Sequence, residues 1–316
     1  MKKVNLFIVG QPKSGTTALA NYLNQHPNVC MAYPKEPGYF AYDHIQESDA
    51  IYGAGTYLKA RTLQEYKQHF KHYEGEQIVG EATTTYLYST VAAQAIHDYN
   101  PEAKIIVMLR HPVPFLHSLH MQYVNDGSED ERDFATALAK EEARRRGKDV
   151  PHRAIVPSLL YYSDRIKYAE QVQRYKDLFP DAQILVLGAE DFREDNTGVF
   201  KQVLDFLEVD DTFEPTLDIV NPSAKPRSYA VHRALNSLAL KKSLYNLLGP
   251  RHYTSLKAVA ISVVMKRRER TDMNETLRQQ LLDMSRSEVA KISHVTHIDF
   301  MRKWRYETSP ETTKAG

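Results

Sequence analysis

Residues 4–26, VNLFIVGQPKSGTTALANYLNQH, decide the fold. VNLFIVG is a short apolar run rich in branched side chains and closed by a glycine, and TTALANYLNQH beyond it carries apolar residues at helical spacing. The pattern reads strand, glycine-rich loop, helix. A turn of this kind presents backbone N–H groups to an anion, and the helix N-terminus adds about half a positive charge. Gly10, Gly15, Thr16 and Thr17 are therefore anion-loop candidates. In the GxxxxGK[ST] loop of nucleotide enzymes the lysine follows the second glycine and reaches the β- and γ-phosphates. Here Thr16 holds that place and Lys13 stands inside the loop.

Further strands are predicted at 28–32, 77–81, 104–110 and 182–188, several of them near-continuous apolar runs without alternation. Such runs suit a parallel sheet covered by helices on both faces. Helices are predicted at 90–99, 113–124, 157–179 and 197–209, and the alternation gives a doubly wound α/β architecture. Beyond residue 210 strands fade into a loop, NPSAKPRS, and helices near 228–248, 254–268 and 274–293. With no internal repeat or low-complexity linker, the expectation is one domain over 1–316, its core sheet within about 1–210 and a loop and helices over about 211–305. The charge-dense segment 128–149 reads as a solvated helix, and MKRRER at 265–270 as a basic surface run.

Composition bounds the partners. Lysine and arginine total 41 against 40 acidic residues, a net charge of +1, so no general field draws nucleic acid or an anionic membrane and any anion site is local. The single Cys30 excludes an internal disulfide and a cysteine-built zinc site. The apolar run near the N-terminus is shorter than the roughly 7–15 residues of a signal-peptide h-region. No stretch approaches the ~20 apolar residues of a membrane span, so the expected localisation is cytoplasmic.

A second constellation lies at LRHPVPFLHS, residues 109–118, where Arg110 ends an apolar strand and Ser118 follows on the next helix. Both can face the carboxyl end of the sheet, where open α/β folds bind ligands, and an arginine fork with a hydroxyl suits a second phosphate. QPKSGTTAL and LRHPVPFLHSLHMQY together resemble the sulfotransferases that use 3'-phosphoadenosine 5'-phosphosulfate, and KEPGYF at 35–40 and GEATTTYLYS at 80–89 look like their carbohydrate and bacterial branch. The segments 184–209 and 221–233 and the tryptophan of DFMRKW are similar to later parts of that family.

The resemblance implies a P-loop-type parallel sheet flanked by helices, with Lys13, Ser14, Gly15, Thr16 and Thr17 at the 5'-phosphosulfate and Arg110 and Ser118 at the 3'-phosphate. It further implies that Lys225 and Arg227 close over the donor, that no metal is needed, and that the acceptor is a small molecule or carbohydrate. Lys13 suits the negative charge that develops on the leaving phosphate. The acceptor must also lose a proton as it attacks sulfur. By the same resemblance Glu36 is the first candidate base and Glu81 the second; Lys35 either orients Glu36, meets the sulfuryl oxygens or is simply solvated.

His111 suits a polar pocket better than a base. Tyr33, Tyr39, Tyr42, Tyr86 and Tyr88 either wall an acceptor pocket or pack the core. Gly38, Ala82, Thr84 and Phe115 depart from residues common in the family, which argues against a heparan-type acceptor site. Residues 255–265 stay open between pocket wall, homodimer contact and core. Two other functions compete: a P-loop small-molecule kinase, which needs the missing Walker lysine, and a noncatalytic nucleotide-binding protein.

Overall fold

The computed structural model describes residues 2–57, 59–216, 224–226, 265–267 and 273–306. Five parallel strands form the central sheet: β1 (Leu6–Gly10), β2 (Val29–Met31), β3 (Ile78–Ala82), β4 (Lys104–Leu109) and β5 (Ile184–Gly188), in the order β2-β3-β1-β4-β5. All five strands expected from the sequence form. β1 is central, pairing Ile8 with both Ala82 and Ile106. Because strand order reverses around β1, its following loop opens at the switch point, where ligands of such sheets sit.

Alternate strand residues feed opposite faces, as the two-residue period requires. Phe7, Val9, Ile105 and Val107 enter one core with α4 (Ala92–Tyr99), α5 (Pro112–Asp126), α9 (Tyr168–Lys176) and α12 (Glu275–Thr296). Leu6, Ile8, Ile106 and Met108 enter the other with α1 (Thr16–Leu23) and α11 (Asn196–Leu207). Each such side chain is fully buried and contributes about 1.5–3 kcal/mol. Between these elements run α2 (Tyr42–Tyr52), α3 (Leu63–Lys67) and α10 (Ala189–Glu194); α13 (Phe300–Lys303) follows α12, and Trp304 beyond it is buried. Among the described residues no helix is long and apolar enough to cross a membrane.

Three expectations are corrected. The helix expected at 157–179 is broken into a 3-10 turn at Pro157–Leu160, α8 (Tyr162–Arg165) and α9, because Ile166 and Lys167 leave helical geometry. The segment 128–149 is not a solvated helix. It forms α6 (Phe134–Ala139) and α7 (Glu141–Arg145), and Arg144 turns inward to make two 2.7 Å bonds with Glu129, both side chains fully buried. The helix expected at 254–268 meets a strand instead at its end, since β6 (Ala224–Pro226) pairs antiparallel with β7 (Met265–Arg267). The rest of that helix, the helix at 228–248 and Arg227 lie outside the described residues.

Candidate functional site

The loop after β1 is locked from several sides. The Gln11 amide N–H donates to Met108 O at 2.6 Å, and its side-chain amide donates to Gln171 Oε1 at 2.9 Å and to Arg165 O at 3.3 Å. Gly10 is required by close approach: a Cβ there would lie 2.7 Å from Leu87 Cβ. At Gly15, φ is +93°, a left-handed conformation that favours glycine. Lys13 also has a positive φ of 65°, and its side chain is exposed.

Gly15 caps α1 without a side-chain hydrogen bond, so the first-turn N–H groups of α1 stay available to an anion. The Ser14 Oγ is buried and has no hydrogen-bond partner among the described residues. An uncapped helix start, an orphaned hydroxyl and a lysine in the same turn fit a phosphate-bearing group. Arg110 reaches this loop directly, its NH1 donating to Lys13 O at 2.8 Å while Tyr168 holds the Arg110 carbonyl at 2.9 Å. Ser118 lies half-buried on α5. Lys225 lies in β6 opposite Lys266 of β7.

Lys35 joins the loop to the first candidate base. Its ammonium donates to Thr17 Oγ1 at 3.0 Å and Thr16 Oγ1 at 3.3 Å, and lies 3.4 Å from Glu36 Oε1. Burial pushes the Lys35 ammonium below the usual lysine range, against the opposing pull of the Glu36 charge. Thr84 also donates to Glu36 Oε1 at 3.2 Å, and Lys59 donates to the Glu36 carbonyl at 3.0 Å. The Glu36 side chain remains 24% exposed, which leaves it access to an incoming molecule.

Glu81 is placed differently. It is fully buried, with Oε1 accepting from Tyr66 at 2.7 Å and Tyr86 at 3.0 Å and Oε2 accepting from Thr83 at 2.7 Å. Burial raises its pKa to about 7, against those three bonds. His111 is also built into the scaffold. Its Nδ1 accepts from Val113 N at 3.3 Å as the cap of α5, its ring stacks on Trp304 at 5.9 Å, and burial drives its pKa down to about 4. Beside it a cleft of about 550 Å³, lined by Glu190, Asp191, Arg278, Lys303 and Trp304 among others, opens at the ends of β4 and β5.

The tyrosine group divides. Tyr86 is core, Tyr39 stacks on Tyr66 at 5.2 Å, Tyr33 and Tyr42 are exposed, and Tyr88 shares a stack with His44 at 5.9 Å. Phe115 is buried against the Tyr168 ring. The Thr84 contact was not read from the sequence, although its departure from the family pattern marked the position. Neither was Arg165, hidden inside a segment that reads as continuous helix.

Residues 5–215 match the model of the sulfotransferase family, and the chain belongs to that family. It is 32% identical over 34% of its length to the membrane-associated sulfotransferase kil1 of Dictyostelium discoideum, covering 21% of that protein. It is 29% identical over 63% of its length to heparan sulfate glucosamine 3-O-sulfotransferase 6 of Mus musculus, covering 51% of that enzyme. The chain thus spans about half or less of these relatives. The crystal structure of a sulfotransferase from Alicyclobacillus acidocaldarius is similar throughout, with a TM-score of 0.70 and 28% identity, over 96% of this chain and 100% of that one.

Proposed function

We propose that this chain moves the sulfuryl group of 3'-phosphoadenosine 5'-phosphosulfate to a hydroxyl or amine of a small-molecule or carbohydrate acceptor. The observation that carries this reading is the Lys35 bridge, which ties the anion loop at Thr16 and Thr17 to the half-buried carboxylate of Glu36. An anion loop next to a positioned base is what acid–base group transfer onto an acceptor needs. A carbohydrate acceptor is supported by the acceptor in the name of the mouse relative.

Ser14, Gly15, Thr16 and Thr17 would hold the 5' end of the donor, Arg110 and Ser118 the 3'-phosphate, and Lys225 and Arg227 would cover it. Bound there, the donor supplies an electrophilic sulfur whose bond to the bridging phosphate oxygen breaks as the acceptor attacks. Glu36 accepts the acceptor's proton, and Thr84 and Lys35 hold its carboxylate in place. Lys13 and Lys35 place positive charge where the leaving phosphate gathers negative charge. Glu81, enclosed by three hydroxyl groups, is assigned a positioning role behind this layer.

The test is transfer of labelled sulfate from the donor to a panel of sugars, phenols and amines. Glu36→Gln is expected to remove turnover and to leave binding of 3',5'-adenosine bisphosphate nearly intact. Full activity in that variant would refute the role of Glu36, and the absence of any Lys13-dependent sulfated product would refute the reaction.

A further inference from the structure

Arg165 ends α8, and the reaction as derived leaves its side chain without a role. It is 1% exposed, and its guanidinium lies 4.3 Å from the centroid of the Tyr88 ring. Its Nε, NH1 and NH2 have no hydrogen-bond partner among the described residues. Arginine does not escape burial by losing its proton as lysine does, and a stack on one aromatic face returns only part of what burying a lone cation costs.

The carboxylates around it are committed elsewhere. Asp164 pairs with Arg145 and Lys167 at 2.7 Å each, and Glu47 accepts from Ser158 N at 2.8 Å. Asp43 accepts from Ser89 and Thr90, and Glu36 is held by Lys35 and Thr84. Replacing this cation with an apolar side chain would remove the burial cost, so its presence points to a ligand.

Its position says which ligand. The break between α8 and α9 frees the Arg165 carbonyl to accept from Gln11 of the anion loop. Its charge acts on Tyr57 and Tyr123, the same two phenols on which the Glu36 charge acts. Tyr88, which it stacks on, is also stacked with His44 of α2. His44 Nδ1 and, one helical turn further, Ser48 Oγ are likewise buried without a hydrogen-bond partner among the described residues. A cation, an imidazole nitrogen and a hydroxyl, all buried and all without a partner among the described residues, make a polar subsite for an acceptor.

We propose that Arg165 binds a carboxylate on the acceptor, so that the acceptor class is a hydroxyl or amino compound carrying a compact anionic group. The planar guanidinium fork matches a carboxylate with two parallel bonds. This deepens the sulfotransferase reading and rests on it.

The experiment has two stages. Calorimetry with 3',5'-adenosine bisphosphate comes first, and no binding there overturns the sulfotransferase reading itself. The loaded protein is then titrated by NMR with methyl β-glucuronide against methyl β-glucoside, and with 4-hydroxyphenylacetate against its amide. At least one carboxylate probe is expected to bind about 10-fold or more tighter than its neutral partner. The arm that responds tells a sugar acid from an aromatic acid.

Arg165→Gln should erase that difference while the bisphosphate affinity stays within about 2-fold of wild type, and Arg165→Lys should keep part of it. Arg165→Met should raise the melting temperature of the ligand-free protein by about 2–4 °C, the reverse of what a purely structural arginine gives. Equal binding of charged and neutral probes, no binding of either carboxylate, a loss confined to bisphosphate affinity, or a lowered melting temperature overturns the proposal.

Discussion

The Lys35 ammonium stands 3.4 Å from the Glu36 carboxylate while donating to the Thr17 hydroxyl at 3.0 Å, so one side chain couples the anion loop to the candidate base. Lys35→Met removes the charge and keeps much of the volume. Its kcat should fall by about 10²-fold or more, as on loss of a donor aimed at developing charge, with a smaller effect on bisphosphate affinity. Steady-state rates at saturating donor decide this, and a wild-type kcat in the variant contradicts the coupling.

Glu81 gives the fold a pH dependence whose sign follows from burial. Its pKa rises to about 7 in the folded chain, from an ordinary glutamate value of about 4.5. Between those values the folded state binds more protons than the unfolded one, so this contribution is present below about pH 4.5 and is lost as pH rises through about 7. The full effect is on the order of 3 kcal/mol. Glu81→Gln cannot titrate, so the urea midpoint of wild type relative to the variant should fall between pH 5 and pH 8. A difference that rises or stays flat over that window counts against the account.

The legible part of this chain is the part written in hydrophobic period. VNLFIVG, IVGEA and KIIVML are short, largely apolar runs each followed by a helical pattern, so β1, β3 and β4 follow from sequence, and Gly10 and Gly15 mark the loop. What stayed hidden depends on which way a polar side chain turns. Glu129 and Arg144 sit in a stretch so dense in charge that it reads as solvated, yet they pair inside the core. Arg165 lies in PSLLYYSDRIKYAEQ, where apolar spacing suggests a single helix and neither glycine nor proline marks the break after it. The Thr84 contact with Glu36 spans 48 positions and has no local signature.

The Arg144 and Glu129 pair should dominate the stability of the 129–165 region. Both side chains are fully buried, two bonds of 2.7 Å join them, and the Tyr162 hydroxyl donates to Glu129 at 2.9 Å. Burial by itself would raise the Glu129 carboxyl, but Arg144 holds it below the usual range. Removing one partner leaves the other buried and uncompensated, so Glu129→Gln or Arg144→Met should each cost about 3–5 kcal/mol. The double variant should cost less than the sum of the two, and additive urea-denaturation values would show that the pair is not coupled.

Calorimetric titration of the protein in EDTA with 3',5'-adenosine bisphosphate, ATP and GTP tests the central claim most directly. Metal-independent binding of the bisphosphate, weakened about 10-fold or more by Arg110→Ala, is the result predicted from an Arg110 that holds the Lys13 carbonyl beside the proposed phosphate site. Binding of ATP alone, and only once Mg²⁺ is restored, would contradict sulfuryl transfer and make the loop that of a kinase.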